Sequence, residues 1–285
     1  MLDIKSAMQS RKVKRTTGQV ILFFAAVFML FLAFIPIILM VVLSLKSNVQ
    51  IYGNFWTLPS PPVWTNYSTA FFLLYRNMLN STILVSLATA ATVLLASMSG
   101  YVFARLKFPG NNVLFMMVLS MMMVPGVLTL TPMYRLVQDL RLYNTWWALF
   151  LPWVSGGQVF GILLCRTFIS AQPAALFESA RIDGSSEFQA YYSIAIPLAK
   201  PILATLTVMQ LIGYYNDFIW PLMVIDSSRK QMITVAIRAF EAATGAINIG
   251  SMVAGYVFTT LPLVVLFLFG SRLYIEGITS GAIKT

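Results

Sequence analysis

Charged residues are distributed very unevenly along this chain, leaving six long stretches almost free of them. Residues 20–45, 77–104, 108–134, 142–165 and 242–271 contain no Asp, Glu, Lys or Arg, and residues 201–225 contain one, Asp217. A bilayer core about 30 Å thick is crossed by roughly 20 helical residues, and a helix is favoured there because it pairs its backbone donors and acceptors internally. The pattern therefore predicts an all-α polytopic membrane protein with six transmembrane helices. Pro36, Pro125, Pro132, Pro152, Pro221 and Pro262 fall inside these stretches. Each removes a backbone donor and favours a kink, which suits a bundle that changes shape. The run Met116, Met117, Met121, Met122 and Met123 reads first as adaptable packing and second as the lining of a solute path.

Composition agrees with a lipid solvent, since 59% of the residues are hydrophobic and 10% charged. The formal charge of +10 does not point to nucleic acid, because the basic residues sit between apolar runs and form no solvated face. They act as topology signals. Arg11, Lys12, Lys14 and Arg15 place the N-terminus in the cytoplasm by the positive-inside rule, and six crossings return the C-terminus there. That orientation leaves most of the Lys and Arg residues inside. The expected organisation is a basic cytoplasmic tail over residues 1–18, a single membrane domain over 19–275 without an internal repeat, and a cytoplasmic tail over 276–285. The first apolar stretch is too long for the core of a cleavable signal peptide and is read as a retained span.

A single cysteine, Cys165, and the absence of histidine leave no cysteine cluster, no imidazole base and no expected metal site. Catalysis and bound cofactors are not expected of this chain. The outer loop over residues 46–76 carries Phe55, Trp56, Pro59, Pro61, Pro62, Trp64 and Tyr67. It reads as an interfacial aromatic belt, with a contact surface for a partner as the sharper alternative.

The cytoplasmic segment over residues 170–200 is much longer than neighbouring helices need for a connection. Pro173 can open a short helix that runs through Arg181, and Asp183-Gly184 supplies a turn in which a left-handed residue is cheap. Ser185 or Ser186 can cap a second short helix through Ile194, which Pro197 is expected to end. Leu176, Phe177, Ala180 and Ile182 form an apolar knob ringed by Glu178, Arg181, Asp183 and Glu187. Ser179 and Ala180 are small enough for close approach to a partner backbone. This helix-turn-helix is fitted to a groove on another protein.

These residues resemble the E-A-A-x3-G-x9-I-x-L-P signature of binding-protein-dependent ABC importer permeases. Here it reads Glu178-Ser179-Ala180, Gly184, then Ile194-Ala195-Ile196-Pro197, departing from the pattern by Ser179 for Ala and Ile196 for Leu. Further stretches, Arg76-Asn77-Met78-Leu79-Asn80-Ser81, the run from Tyr101 to Gly110, and the ending from Gly277 to Lys284, are similar to carbohydrate-uptake permeases of the maltose-transporter, MalG-like type. The resemblance implies a type I ABC importer permease fold and a place in the bacterial or archaeal inner membrane. It also implies a MalF-like second permease, two ATP-binding subunits that hold ATP and Mg, an extracytoplasmic solute-binding protein and a carbohydrate substrate. Leu176, Phe177, Glu178, Ser179, Ala180, Arg181, Asp183, Gly184, Ile194 and Pro197 would then couple the spans to the ATPases, and the C-terminal tail would reach the ATPase interface.

For the solute path, Gln210, Tyr214, Tyr215, Asn216, Asp217 and Trp220 offer a polar and aromatic mixture suited to sugar hydroxyls and ring faces. An ionisable residue in a span usually faces the bundle interior or water, yet Asp217 near a span end is equally suited to a structural bond. Asn80 and Ser81 can line the path, or join helices by hydrogen bonds. An ion-coupled secondary transporter is the rival class, and it would need more than one buried ionisable group. An intramembrane enzyme lacks a paired nucleophile and base. Within the importer class, a non-sugar solute such as glycerol phosphate stays open.

Overall fold

The computed structural model describes the backbone of residues 2–245 and 247–282 and the side chains of residues 19, 20, 22–245 and 247–268. The side chains of the basic N-terminal residues and of the expected coupling tail 276–285 lie outside the described residues. Every regular element among the described residues is helical. In order these are α1 (Leu2–Ser44), α2 (Asn48–Gly53), α3 (Thr65–Arg105), α4 (Asn111–Ser120), a 3₁₀ turn (Met121–Met123), α5 (Gly126–Asp139) and α6 (Trp147–Ser170). There follow α7 (Ala174–Ile182), α8 (Glu187–Ala190), a π turn (Tyr191–Ala195), α9 (Ile196–Asn216), α10 (Ile219–Val224), α11 (Ile233–Thr244) and α12 (Ile249–Ala282).

Five helical stretches among the described residues are long and apolar enough to cross a membrane: Leu22–Ser44, Thr65–Arg105, Trp147–Ser170, Glu187–Asn216 and Ile249–Leu268. The third expected span, over residues 108–134, is broken. Asn111–Met123 and Gly126–Asp139 meet at an angle of 99°. Pro125 has no amide proton to continue the first helix, and a residue before proline is driven out of the helical region. Val124 accordingly has φ −82° and ψ 116°.

Side-chain spacing fixes the direction of the spans. Thr92, Ala96 and Gly100 on α3 and Gly157, Gly161 and Cys165 on α6 each recur every fourth residue, so each set forms one stripe. A methyl group at Gly157 would lie 2.8 Å from Thr92, one at Gly161 2.7 Å from Ala96, and one at Gly100 2.5 Å from Cys165. Small residues let the two backbones meet this closely. Matching positions increase together along both helices, so α3 and α6 run in the same direction. The bent pair α4–α5 then runs back between them, for up to six crossings among the described residues.

Helix ends differ from the charge-free stretches. α3 begins at Thr65, twelve positions before the expected start, because Arg76 does not interrupt a helix that has left the hydrocarbon. The fifth span starts earlier, at Glu187, and stops at Asn216, so Asp217 caps the helix from an extended conformation and does not lie within it. Pro197 ends nothing. The π turn absorbs it, since widening the helix just upstream relieves the clash of the ring with the preceding turn. The Met-rich run does not pack within the chain: Met116, Met117, Met121, Met122 and Met123 are all exposed.

The chain divides into two compact units, one comprising residues up to Phe71 with Ala243–Phe258, the other Phe72–Ala242 with Thr259–Thr285. The first centres on Asn66, which is buried. Its amide nitrogen donates to the carbonyls of Ser44 (2.9 Å) and Lys46 (3.0 Å), while its amide oxygen accepts from Ser251 Oγ (3.0 Å). Lys46 is fully buried, and its ammonium donates to the carbonyls of Asn54 and Phe55, both at 2.8 Å. The loop that follows α2 is thereby tied down while Trp56 and Trp64 stay exposed. The core of the second unit gathers Tyr101, Phe115, Ile162, Cys165, Ile169, Phe177, Tyr191 and Leu206 around the C-terminal ends of α3 and α6.

Candidate docking loop and polar groove

The segment from Pro173 to Pro197 builds its turn from local chemistry. Pro173, at φ −58° and ψ 125°, leads into α7. The helix ends in paired bonds from Ser185 N to Ala180 O (2.9 Å) and from Gly184 N to Arg181 O (3.1 Å), with Gly184 left-handed at φ 80°. Ser186, and not Ser185, caps α8. Its hydroxyl accepts from Gln189 N (3.2 Å), and Gln189 Oε1 accepts from Ser186 N (2.9 Å).

The expected apolar knob is divided between two sides. Phe177 and Ala180 are buried against the core, whereas Leu176 and Ile182 are exposed, Ile182 at 86%. Phe188, 68% exposed, adds to the outward apolar surface, a role that the sequence pattern does not mark. Glu178, Ser179, Arg181, Asp183, Gly184 and Pro197 are exposed and Ile194 is half-buried. Arg181 Nε donates to Glu187 Oε1 at 2.9 Å, and this bond raises the Arg181 pKa above its ordinary value.

Residues outside the loop hold it. Tyr101 Oη donates to Glu187 Oε2 (2.8 Å), and Arg105 Nη2 donates to the carbonyls of Ile169 (2.5 Å) and Gln172 (2.7 Å). The Arg105 guanidinium lies over the Phe177 ring, 4.1 Å from its centroid. Gln172 Nε2 in turn donates to Ala195 O at 3.3 Å. Nothing local marks Tyr101, Arg105 or Gln172 for this role, because their partners are far away in sequence.

The solute-path candidates separate by how their polar atoms are used. Asn80 donates to Arg229 O (2.8 Å), Tyr215 to Thr259 O (2.8 Å), Trp220 Nε1 to Ala148 O (2.9 Å) and Tyr214 to Trp153 O (2.6 Å). These four join helices and loops within the chain. Tyr214 also stacks on Trp153, with ring centroids 5.4 Å apart and 11° between planes. Asp217 accepts from Trp153 Nε1 (2.7 Å). A groove of about 550 Å³ is lined by Trp153, Phe160, Gln210, Tyr214, Asn216 and Asp217, and Gly156 and Gly213 leave open space beside it. The groove brings together Gln210, Tyr214, Asn216 and Asp217, and it leaves out Asn80, Tyr215 and Trp220.

A bundle of up to six crossings among the described residues, one of them sharply bent, with a capped helix-turn-helix between two spans, defines a polytopic membrane protein. Residues 92–276 match the family described as "Binding-protein-dependent transport system inner membrane component". The chain belongs to that family, the ABC importer permeases. It is 29% identical over 281 residues to the arabinooligosaccharides transport system permease protein AraQ of Halalkalibacterium halodurans, covering 95% of this chain and 100% of that one. The trehalose/maltose transport system permease protein MalG of Thermococcus litoralis is 28% identical over 277 residues, with 93% and 97% covered. In fold, the chain superposes with a TM-score of 0.79 and 21% identity on a bacterial ABC transporter involved in the import of the acidic polysaccharide alginate, covering 90% of this chain and 96% of that one. Family membership sets the ion-coupled secondary transporter aside.

Proposed function

We propose that this chain is one of two permease subunits of an importer that moves a di- or oligosaccharide into the cytoplasm, powered by ATP hydrolysis on separate subunits. The observation that carries the solute class is the near full-length similarity to AraQ and MalG, permeases named for arabinooligosaccharides and for trehalose and maltose. The chain sits in the plasma membrane with both termini cytoplasmic, where the loop 170–200 can meet the ATPases. Leu176, Ile182 and Phe188 provide its outward apolar contact, with Glu178, Ser179, Arg181 and Asp183 around them. The capped turn at Gly184 makes the loop a stiff lever.

ATP and Mg act on the partner subunits. ATP binding there draws the two ATPases together, and the loops carry that motion to the spans, so that one access state is stabilised over the other. A solute-binding protein delivers the sugar on the opposite face, and a MalF-like subunit covers the apolar side chains of α1, such as Phe23, Phe28 and Phe31, that this chain leaves exposed. Gln210, Asn216 and Asp217 offer hydroxyl partners along the way.

Proteoliposomes holding this chain, the second permease and the ATPases test the reading, with the binding protein outside and ATP inside. Uptake of labelled malto- or arabinooligosaccharide that needs both ATP and binding protein is the expected result. Uptake of glycerol phosphate with no sugar transported would overturn the solute class.

A further inference from the structure

We propose that Tyr101 and Arg105, one turn apart near the C-terminal end of α3, are the positioning residues that carry motion of the docking loop into the spans. The inference rests on the loop meeting an ATPase and adds the route by which force leaves it.

The loop reaches the bundle in two ways. Along the chain, α8 leads to α9 through the π turn, where the hydrogen-bond pattern is locally widened. Across space, four elements converge on α3. Arg105 Nη2 donates to the Ile169 carbonyl in the last turn of α6 and to the Gln172 carbonyl just beyond that helix. The same guanidinium lies over Phe177 of α7 at 4.1 Å. Tyr101 donates to Glu187 of α8, which is bonded to Arg181 of α7, and the Tyr101 ring meets Tyr191 of the π turn edge-on with centroids 5.5 Å apart. Tyr191 is fixed in turn through Ser97 at 2.7 Å.

A push on α7 therefore reaches α3 and α6 through Phe177–Arg105 and α3 alone through Glu187–Tyr101. Both routes end on the helices that share the close-packed stripe of small residues, so the two spans move together. The planar guanidinium is needed because a single group both bridges two carbonyls and covers a ring face.

The test uses the assembled transporter with its binding protein. Tyr101→Phe keeps the ring contacts and removes the bond to Glu187, while Arg105→Lys keeps the charge and removes the stack. Both variants should retain co-purified ATPase and hydrolyse ATP. The solute moved per ATP hydrolysed should fall, by about five-fold or more for Arg105→Lys, as expected when coupling between two sites is lost. An unchanged ratio overturns the proposal, and so does a parallel fall of uptake and hydrolysis with loss of the ATPase, which marks a role in assembly alone. If Arg105→Lys does not reach the membrane, the ratio in Tyr101→Phe decides. Ile182→Asp separates the two layers of the argument: ATPase that still co-purifies with that variant rejects docking at the loop, whatever the ratio in the α3 variants.

Discussion

At the residue scale, Gly184 and Lys46 matter for opposite reasons. Gly184 has open space around it, so a side chain there meets no neighbour, yet its φ of 80° lies where L-residues are strained by about 1–2 kcal/mol. Gly184→Val should loosen the turn, reduce co-purified ATPase and lower uptake, while subunit abundance in the membrane stays near wild type on an immunoblot. Lys46 is the reverse case, a charge with no open space. Lys46→Met would remove both charged hydrogen bonds to the Asn54 and Phe55 carbonyls, each worth about 1.5–3 kcal/mol. The expected readout is a lower thermal unfolding midpoint in detergent and faster proteolysis within residues 54–64. Gly184 and the capping serine are legible in the sequence because turn chemistry is local. The inward turn of Phe177 is not, because a nine-residue helix with apolar residues on two sides does not tell which side meets its own protein. Arg105 and Tyr101 are hidden for a related reason, since their contacts join positions more than sixty residues apart in sequence.

At the scale of elements, the charge-free stretches identify every span and misplace most of their ends. A helix continues past the bilayer wherever its backbone is still paired, as α3 does before Arg76, and absence of charge reports only the part in lipid. Prolines all predict kinks, and their effects are unequal. Pro152 and Pro262 lie inside continuous helices, Pro125 separates two helices at 99°, and Pro197 follows a π turn. The stripe of small residues gives the sharpest prediction here. Gly161→Leu would drive a side chain into Ala96, and overpacking of this kind costs about 1–3 kcal/mol. Membrane abundance should fall, with Gly156→Leu, which has no neighbour within 4 Å, as the unaffected control on the same blot. The π turn predicts a contrasting tolerance. It holds one residue more than an α-helix needs, so deleting one residue within 191–195 should leave the flanking faces in register. A deletion within residues 202–208 would instead rotate the faces on either side of it by about 100° relative to each other.

At the scale of the whole molecule, the chain leaves much apolar surface uncovered. Leu22, Phe24, Phe28 and Phe31 of α1 and the methionines near Pro125 are exposed in it, and they need lipid or another subunit around them. Composition announces the bilayer, and the spacing between Glu178 and Pro197 announces the family. The identity of the solute is not written in either, because the polar residues at the groove are few and several aromatic candidates already hold the fold together. The matched direction of α3 and α6 has a consequence for mapping by reporter fusion. A fluorescent or phosphatase domain placed after residue 64 must report the same side of the membrane as one placed after residue 145. Fusions after residues 107 and 171 must both report the other side, whichever compartment each side turns out to be.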